Sequence, residues 1–193
     1  MKKLVVLVSF VYIFTFTIAA SSATIPLQRG YNLISVPFSS AIIPQQNDCA
    51  IDRIWSYYDG SYVSAVTGSS PIGVNFASFF VYTRTPCTLN IENADSTRPL
   101  LSKTTLAEIW DDGGGAFNFK KGWNFFAGFT DSPLFEDVKG NCTVTKGPYG
   151  YDAAGRRWTD ASTLDENKGY IVKISEDCGF GYTTESGLPP LPP

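Results

Sequence analysis

The chain has 193 residues, a formal net charge of −3 and no histidine, and 15% of its side chains are aromatic. Without histidine there is no Ser-His-Asp or Cys-His nucleophilic catalysis and no imidazole ligation of metals. The acidic balance argues against nucleic acid or an anionic membrane surface as partner, because both call for basic patches.

Residues 1–23 read as an export signal. Lys2 and Lys3 give a positive start, Leu4 to Ala20 is uncharged and mostly apolar, and Ser21-Ser22-Ala23 supplies small residues for cleavage. The mature chain is expected to begin near Thr24. The apolar run is also close to the lower length limit of a spanning helix, so an uncleaved anchor is the competing reading. The adjacent small residues favour cleavage, after which no membrane contact is expected. Loss of Lys2 and Lys3 leaves 13 of the 15 basic side chains against 18 acidic ones, a formal charge of −5.

The mature sequence repeats itself. Gly30-Tyr31-Asn32-Leu33-Ile34-Ser35 returns as Gly122-Trp123-Asn124-Phe125-Phe126-Ala127, and Tyr58-Asp59 returns as Tyr151-Asp152. Phe79-Phe80-Val81 ahead of Cys87 returns as Tyr170-Ile171-Val172 ahead of Cys178, and Cys49 returns as Cys142. A fixed period of this kind marks copies of one structural unit. The expected organisation is a β module at 24–92, a connector at 93–115, a second β module at 116–183 and a Pro-rich tail at 184–193. Modules this small bury limited apolar area and often need staples. Four cysteines in an exported chain imply disulfides. Three pairings exist on paper. The repeat selects Cys49–Cys87 and Cys142–Cys178, which close loops of nearly equal length. With no CxxC spacing and no histidine, metal binding is the weaker reading of the same cysteines.

Within the first module, Tyr31 to Val36 is apolar and rich in β-branched residues, and Pro37 closes it, so a strand is predicted after a turn at Gly30. Ile51 to Tyr58 predicts a second strand, Asp59-Gly60 a hairpin turn, and Tyr62 to Val66 the return strand. Gly68 to Pro71 reads as a loop. Phe76 to Tyr82 predicts a strand buried on both faces, and Cys87 to Ile91 ends the module. The connector holds a helical candidate, with a capping-box pattern from Thr105 to Glu108 and Leu106, Ile109 and Trp110 on one face. Asp111-Asp112 and Gly113-Gly114-Gly115 stop it. These glycines lack the lysine-serine pair of a phosphate loop and read as a linker.

The second module follows the same order. Trp123 to Phe129 is the opening strand and Asp152 to Gly155 a looser turn. Arg156-Arg157-Trp158 leads the return strand, Gly169 to Ile174 forms the last core strand, and Phe180-Gly181-Tyr182 closes it. Gly187 to Pro193 is uncharged and Pro-rich, a composition that favours extended chain. Short strands with Gly, Pro and Asp-Gly punctuation give an all-β class: two tandem, disulfide-stapled β modules joined by a short helical and Gly-rich connector.

The openings of the two modules resemble a repeat of archaeal and bacterial secreted and cell-surface proteins. That repeat has a Gly-Trp-Asn-Leu-(Ile/Val)-Ser core, a Tyr-Asp hairpin and a late Gly-Tyr-(Trp/Ile)-Val strand. Gly30 to Pro37 matches with Tyr31 in place of Trp. Gly122-Trp123-Asn124 matches and then departs from Phe125 to Gly128. Gly169-Tyr170-Ile171-Val172 matches the late strand, and Ser78-Phe79-Phe80-Val81 matches it less closely. The resemblance implies an extracellular β module of adhesive or surface-layer-like proteins, with no catalytic residues to carry over.

No catalytic, cofactor or metal residues are predicted. Carboxylates remain for a hydrolase, namely Asp59, Asp111, Asp112, Asp152, Asp160, Asp165 and Glu166, but no pair is set by spacing, and Asp59 and Asp152 suit turns. Asp111-Asp112 is a weak calcium pattern. The aromatics are richer. Trp55, Tyr57, Tyr58 and Tyr62 flank one hairpin, and Tyr149, Tyr151 and Trp158 flank its counterpart. Most suit core and cross-strand packing. Tyr57, Tyr62 and Trp158 are the candidates for ligand contact. Asn141-Cys142-Thr143 fits the N-glycosylation pattern. The expected function is structural or adhesive, by contact with a protein or glycan at the cell surface. The rivals are a self-assembling subunit, using open strand edges or an N-terminal segment such as Thr24 to Arg29, and a carbohydrate-binding module.

Overall fold

A computed structural model describes residues 22–43, 48–58, 61–65, 78–106 and 118–181. The leader up to residue 21, the Asp59-Gly60 turn, the loop at 68–71, the connector at 107–117 and the tail from residue 182 lie outside the described residues. With them lie Glu108, Ile109, Trp110, Asp111, Asp112 and Gly113 to Gly115.

The fold is all-β. The first half supplies β1 (Ser22–Leu27), β2 (Gly30–Ser35), β3 (Ala41–Ile42), β4 (Ile51–Tyr58), β5 (Ser61–Ala65), β6 (Ser78–Thr83) and β7 (Cys87–Asn93). Four of them form an antiparallel sheet in the order β2-β6-β4-β5, and β1-β7-β3 form another. The second half supplies β8 (Asn118–Phe119), β9 (Gly122–Ala127), a single helical turn α1 (Phe135–Val138), β10 (Val144–Asp152), β11 (Arg157–Asp160), β12 (Gly169–Ile174) and β13 (Cys178–Gly179). Its main sheet has the order β9-β12-β10-β11, and β8 pairs with β13. The two four-stranded sheets therefore share one strand order.

The repeated Gly-aromatic-Asn opening has a local cause. Gly30 and Gly122 sit at φ +105° and +108°, a region L side chains rarely adopt. Two residues on, the asparagine clamps the turn. The Asn32 side chain accepts the Gln28 N–H at 2.8 Å and donates to the carbonyls of Gln28 and Gly30 at 2.8 and 3.1 Å. Asn124 makes the same three bonds, to Lys120 N–H and to the carbonyls of Lys120 and Gly122, at 2.9, 2.7 and 3.1 Å. Each amide side chain thus satisfies backbone groups that the turn leaves outside any ladder.

Cys49 bonds to Cys87 and Cys142 to Cys178, with Cα–Cα distances of 5.2 and 5.1 Å. No free cysteine remains, as suits an oxidising compartment. Each bridge touches its own core. One core gathers Ala23, Ile25, Leu27, Ile34, Val36, Phe79, Val81, Leu89 and Ile91. The other gathers Leu101, Leu106, Phe119, Phe126, Phe129, Phe135, Tyr170 and Phe180.

Several expectations need correction. One form of the self-assembling rival leaves a segment such as Thr24 to Arg29 free to pair with a neighbour. Thr24 to Leu27 instead lies in β1, paired along β7 from Ser22↔Glu92 to Leu27↔Cys87, with Ala23, Ile25 and Leu27 buried. The expected start of the mature chain at Thr24 falls inside this strand. The opening strand of the second half ends at Ala127, not Phe129, because Gly128 and Phe129 turn their N–H groups to the carbonyls of Lys168 and Leu164. The helical candidate begins at Leu106, and the expected pairing of Thr105 with Glu108 lies outside the described residues. Ser102 Oγ accepts the Thr105 N–H at 3.1 Å, and Thr105 Oγ1 donates back to the Leu100 carbonyl at 2.6 Å. The strand at Ser78–Thr83 is not buried on both faces: Phe79 and Val81 are buried, whereas Phe80 and Tyr82 are only half-buried on the opposite face. That face carries the candidate site.

The two main sheets pack directly on one another. The buried Ser35 hydroxyl donates to the Lys168 carbonyl at 2.7 Å and accepts the Gly128 N–H at 3.0 Å. Ile34 and Lys168 form an isolated antiparallel bridge. Backbone from one half thus meets backbone from the other with its polar groups paired.

Candidate functional site

Strand alternation sends one set of side chains into each core and the other set outward. In β9, Phe126 packs with Phe119 and Phe180, while Phe125 turns to the other face. There it meets the outward set of the first sheet. Phe125 stacks on Tyr57 at 4.8 Å between ring centroids and lies 6.1 Å from both Tyr62 and Phe80. Phe80 stands at the centre of this face, 6.3 Å from Tyr31, 5.9 Å from Tyr151 and 6.0 Å from Trp158. Tyr31 completes one flank against Trp55 at 5.7 Å and Tyr82 at 4.9 Å. These spacings and the predominantly tilted or edge-to-face geometries are those that aromatic quadrupoles favour.

The result is a groove of about 380 Å³ lined by Tyr31, Trp55, Tyr62, Phe80 and Tyr151. Both halves build it. Tyr62 is 59% exposed, Tyr31 45% and Trp158 43%, values high enough to leave ring surface open to a ligand. Among the described residues that line it there is no carboxylate or ammonium group. Arg53 lies on the flank, its guanidinium 5.7 Å from the centroid of the Trp55 ring. Burial, with Tyr57 adding to it, raises the Tyr62 hydroxyl above the ordinary tyrosine range, so this hydroxyl keeps its proton at neutral pH.

Of the candidate contact residues, Tyr62 and Trp158 are exposed and share this face. Tyr57 is half-buried, held between Tyr62 and Phe125. Tyr31, Phe80 and Phe125 belong to the same surface and were not singled out by the sequence. Their signal was the period-2 alternation with buried Asn32, Phe79 and Phe126.

A second cleft of about 490 Å³ brings together Asp152, Asp160, Asp165 and Lys168 with backbone of β10 and β12. Two of these acids are engaged. Asp152 accepts the Gly155 N–H at 3.0 Å and faces Arg157 at 3.6 Å, and Asp165 pairs with Lys168 at 2.7 Å. Among the described residues no group of three metal-ligating side chains could hold an ion. Asn141 is exposed, and its Oδ1 accepts the Gly179 N–H at 2.9 Å beside the Cys142–Cys178 bridge.

Comparison with protein-family models, curated proteins and solved structures finds no match.

Proposed function

We propose that this chain is a secreted or cell-surface protein of structural or adhesive type, which works by contact rather than catalysis. The observation that supports this most is the groove lined by Tyr31, Trp55, Tyr62, Phe80 and Tyr151. Apolar concavities with a few polar tips are what ligand sites look like, and tyrosine and tryptophan are the residues that carry contact energy at interfaces. The positive, apolar start of the chain ahead of β1 and the two disulfides fit an extracellular place of action. The partner is a protein or a glycan at the surface, including a further copy of the chain.

The test compares the secreted chain with its Tyr62→Ala and Trp158→Ala variants. Retention on insoluble polysaccharides and self-association in sedimentation velocity are the two readouts. Loss of either property in the variants supports the reading. A wild-type chain that neither binds polysaccharide nor associates sinks it.

A second reading has its own observation. All four residues of β11 are exposed and, among the described residues, the strand lies at the edge of its sheet, which leaves one row of backbone groups open to strand addition. A self-assembling filament or surface-layer subunit would use that edge.

A further inference from the structure

We infer that the aromatic groove takes the proline-rich segment Leu188-Pro189-Pro190-Leu191-Pro192-Pro193 of a second copy of this chain. The inference rests on the contact reading above and names the partner for the same surface.

The groove and the segment match in chemistry. Proline-rich chain favours the polyproline II helix, which offers flat pyrrolidine rings and carbonyls with no N–H groups to satisfy. Aromatic-lined grooves recognise that shape, with rings packed on prolines and tyrosine or indole donors turned to the carbonyls. The lining here supplies the Tyr31, Tyr62 and Tyr151 hydroxyls and the Trp55 indole as its side-chain donors. The segment has Pro189 three residues before Pro192 and Pro190 three before Pro193, so one face of a three-residue turn repeats proline on proline. The segment carries no charged side chain, and none is among the described residues lining the groove. A sugar ring fits less well, because its hydroxyls would meet a lining that, among the described residues, offers aromatic faces and no carboxylate or amide side chain.

The geometry favours a second copy over the chain's own tail. Phe180 stacks on Phe119 at 4.5 Å on the core side of the second sheet, and the Gly181 N–H is held by the Val138 carbonyl at 2.7 Å. The groove lies on the other face, where Phe125 points. Only residues 182–187 separate Gly181 from the segment. Six residues reach at most roughly 20 Å fully extended. The segment would have to turn around the edge of the second sheet within that reach to enter the groove of its own chain. Tail into groove is a head-to-tail contact, which propagates from copy to copy instead of closing on itself.

The experiment uses the secreted chain, a tail variant (P189A, P190A, P192A and P193A together) and the groove variant Tyr62→Ala. Sedimentation velocity across a concentration series should show wild-type association, weakened more than tenfold in either variant. Mixing the two variants should restore a 1:1 pair and nothing larger, since one intact tail meets one intact groove. A synthetic Gly187–Pro193 peptide should titrate the tryptophan fluorescence of the tail variant to saturation, and its alanine counterpart should not.

A peptide that binds while the wild-type chain stays monomeric at every concentration overturns the second-copy assignment. A peptide that does not bind overturns the inference altogether. If Tyr62→Ala still abolishes polysaccharide retention in that case, the contact function stands without this partner. If it abolishes nothing, both fall.

Discussion

Gly169 lies against Ser78, its counterpart in the other half of the repeat. A Cβ on Gly169 would stand 2.5 Å from the Ser78 Cβ, 2.8 Å from Leu33 Cγ and 3.0 Å from the Ile34 carbonyl oxygen. The first residues of β6 and β12 therefore touch where the two sheets meet, and Ser78 Oγ donates to the Tyr170 carbonyl at 3.4 Å across the same seam. Gly169→Ala should cost about 1–3 kcal/mol by overpacking. Urea unfolding of the oxidised chain measures it, and a cost below a few tenths would mean the seam yields easily.

The asparagine clamps should carry unequal weight. Asn32 is buried and Asn124 half-buried, although both make the same three bonds. Asn32→Ala leaves buried backbone groups unpaired and should cost about 2–3 kcal/mol, against about 1 kcal/mol for Asn124→Ala, where water can replace the lost partner. Equal losses in thermal melts would show that burial is not what separates the two turns.

The disulfides span 38 and 36 residues, so their loop-closure contributions should be alike, at about 4 kcal/mol each in the chain-entropy model. Paired Cys→Ala variants, C49A/C87A and C142A/C178A, should lose stability to a similar degree. A large asymmetry in denaturant midpoints would point to strain or residual structure in one half.

Ile25 is buried in β1 within the first core. Ile25→Ala should cost about 2–5 kcal/mol. It should also speed hydrogen exchange along the facing β7 amides. Unchanged β7 protection would mean that β1 can leave without loosening the strand beside it.

Alkaline pH should loosen the second half. Burial raises the Tyr170 hydroxyl well above the ordinary tyrosine range, and that oxygen accepts the Asp165 N–H at 2.7 Å. A raised native pKa means that the stabilisation is fully present below the unfolded value near 10 and falls as pH rises through the native one. Tyr170→Phe should therefore be less stable at neutral pH and show a shallower decline above pH 10. Parallel curves for the two chains would remove Tyr170 from the effect.

What was legible in the sequence was whatever a local rule fixes. Gly30 announced a turn ahead of a strand and the repeat made Gly122 its equivalent, whereas the amide clamps of Asn32 and Asn124 appeared only with the fold. Alternation in Ile51 to Tyr58 likewise announced a strand. β1 was hidden under a leader reading, since Ser22 and Ala23 serve equally as small cleavage residues and as strand residues. The groove was hidden because it belongs to neither half alone. Tyr151 and Phe125 reach Phe80 and Tyr57 only through the docking of two sheets, a long-range event that no window of neighbouring residues encodes. Glycine at position 169 was read as part of a strand motif, and its steric purpose appeared only with Ser78 opposite.

The meeting of Ser78 with Gly169 has a consequence for how such a seam can vary. In a pair of identical subunits, a residue that touches its own equivalent must fit a copy of itself, and every substitution there is made twice at once. A serine facing a glycine is a large–small match that two identical chains cannot offer at one such point. Carrying both halves on one polypeptide lifts that constraint. Each side is free to change alone, one shrinking as the other grows, and the halves can lock together in a single orientation rather than in two interchangeable ones.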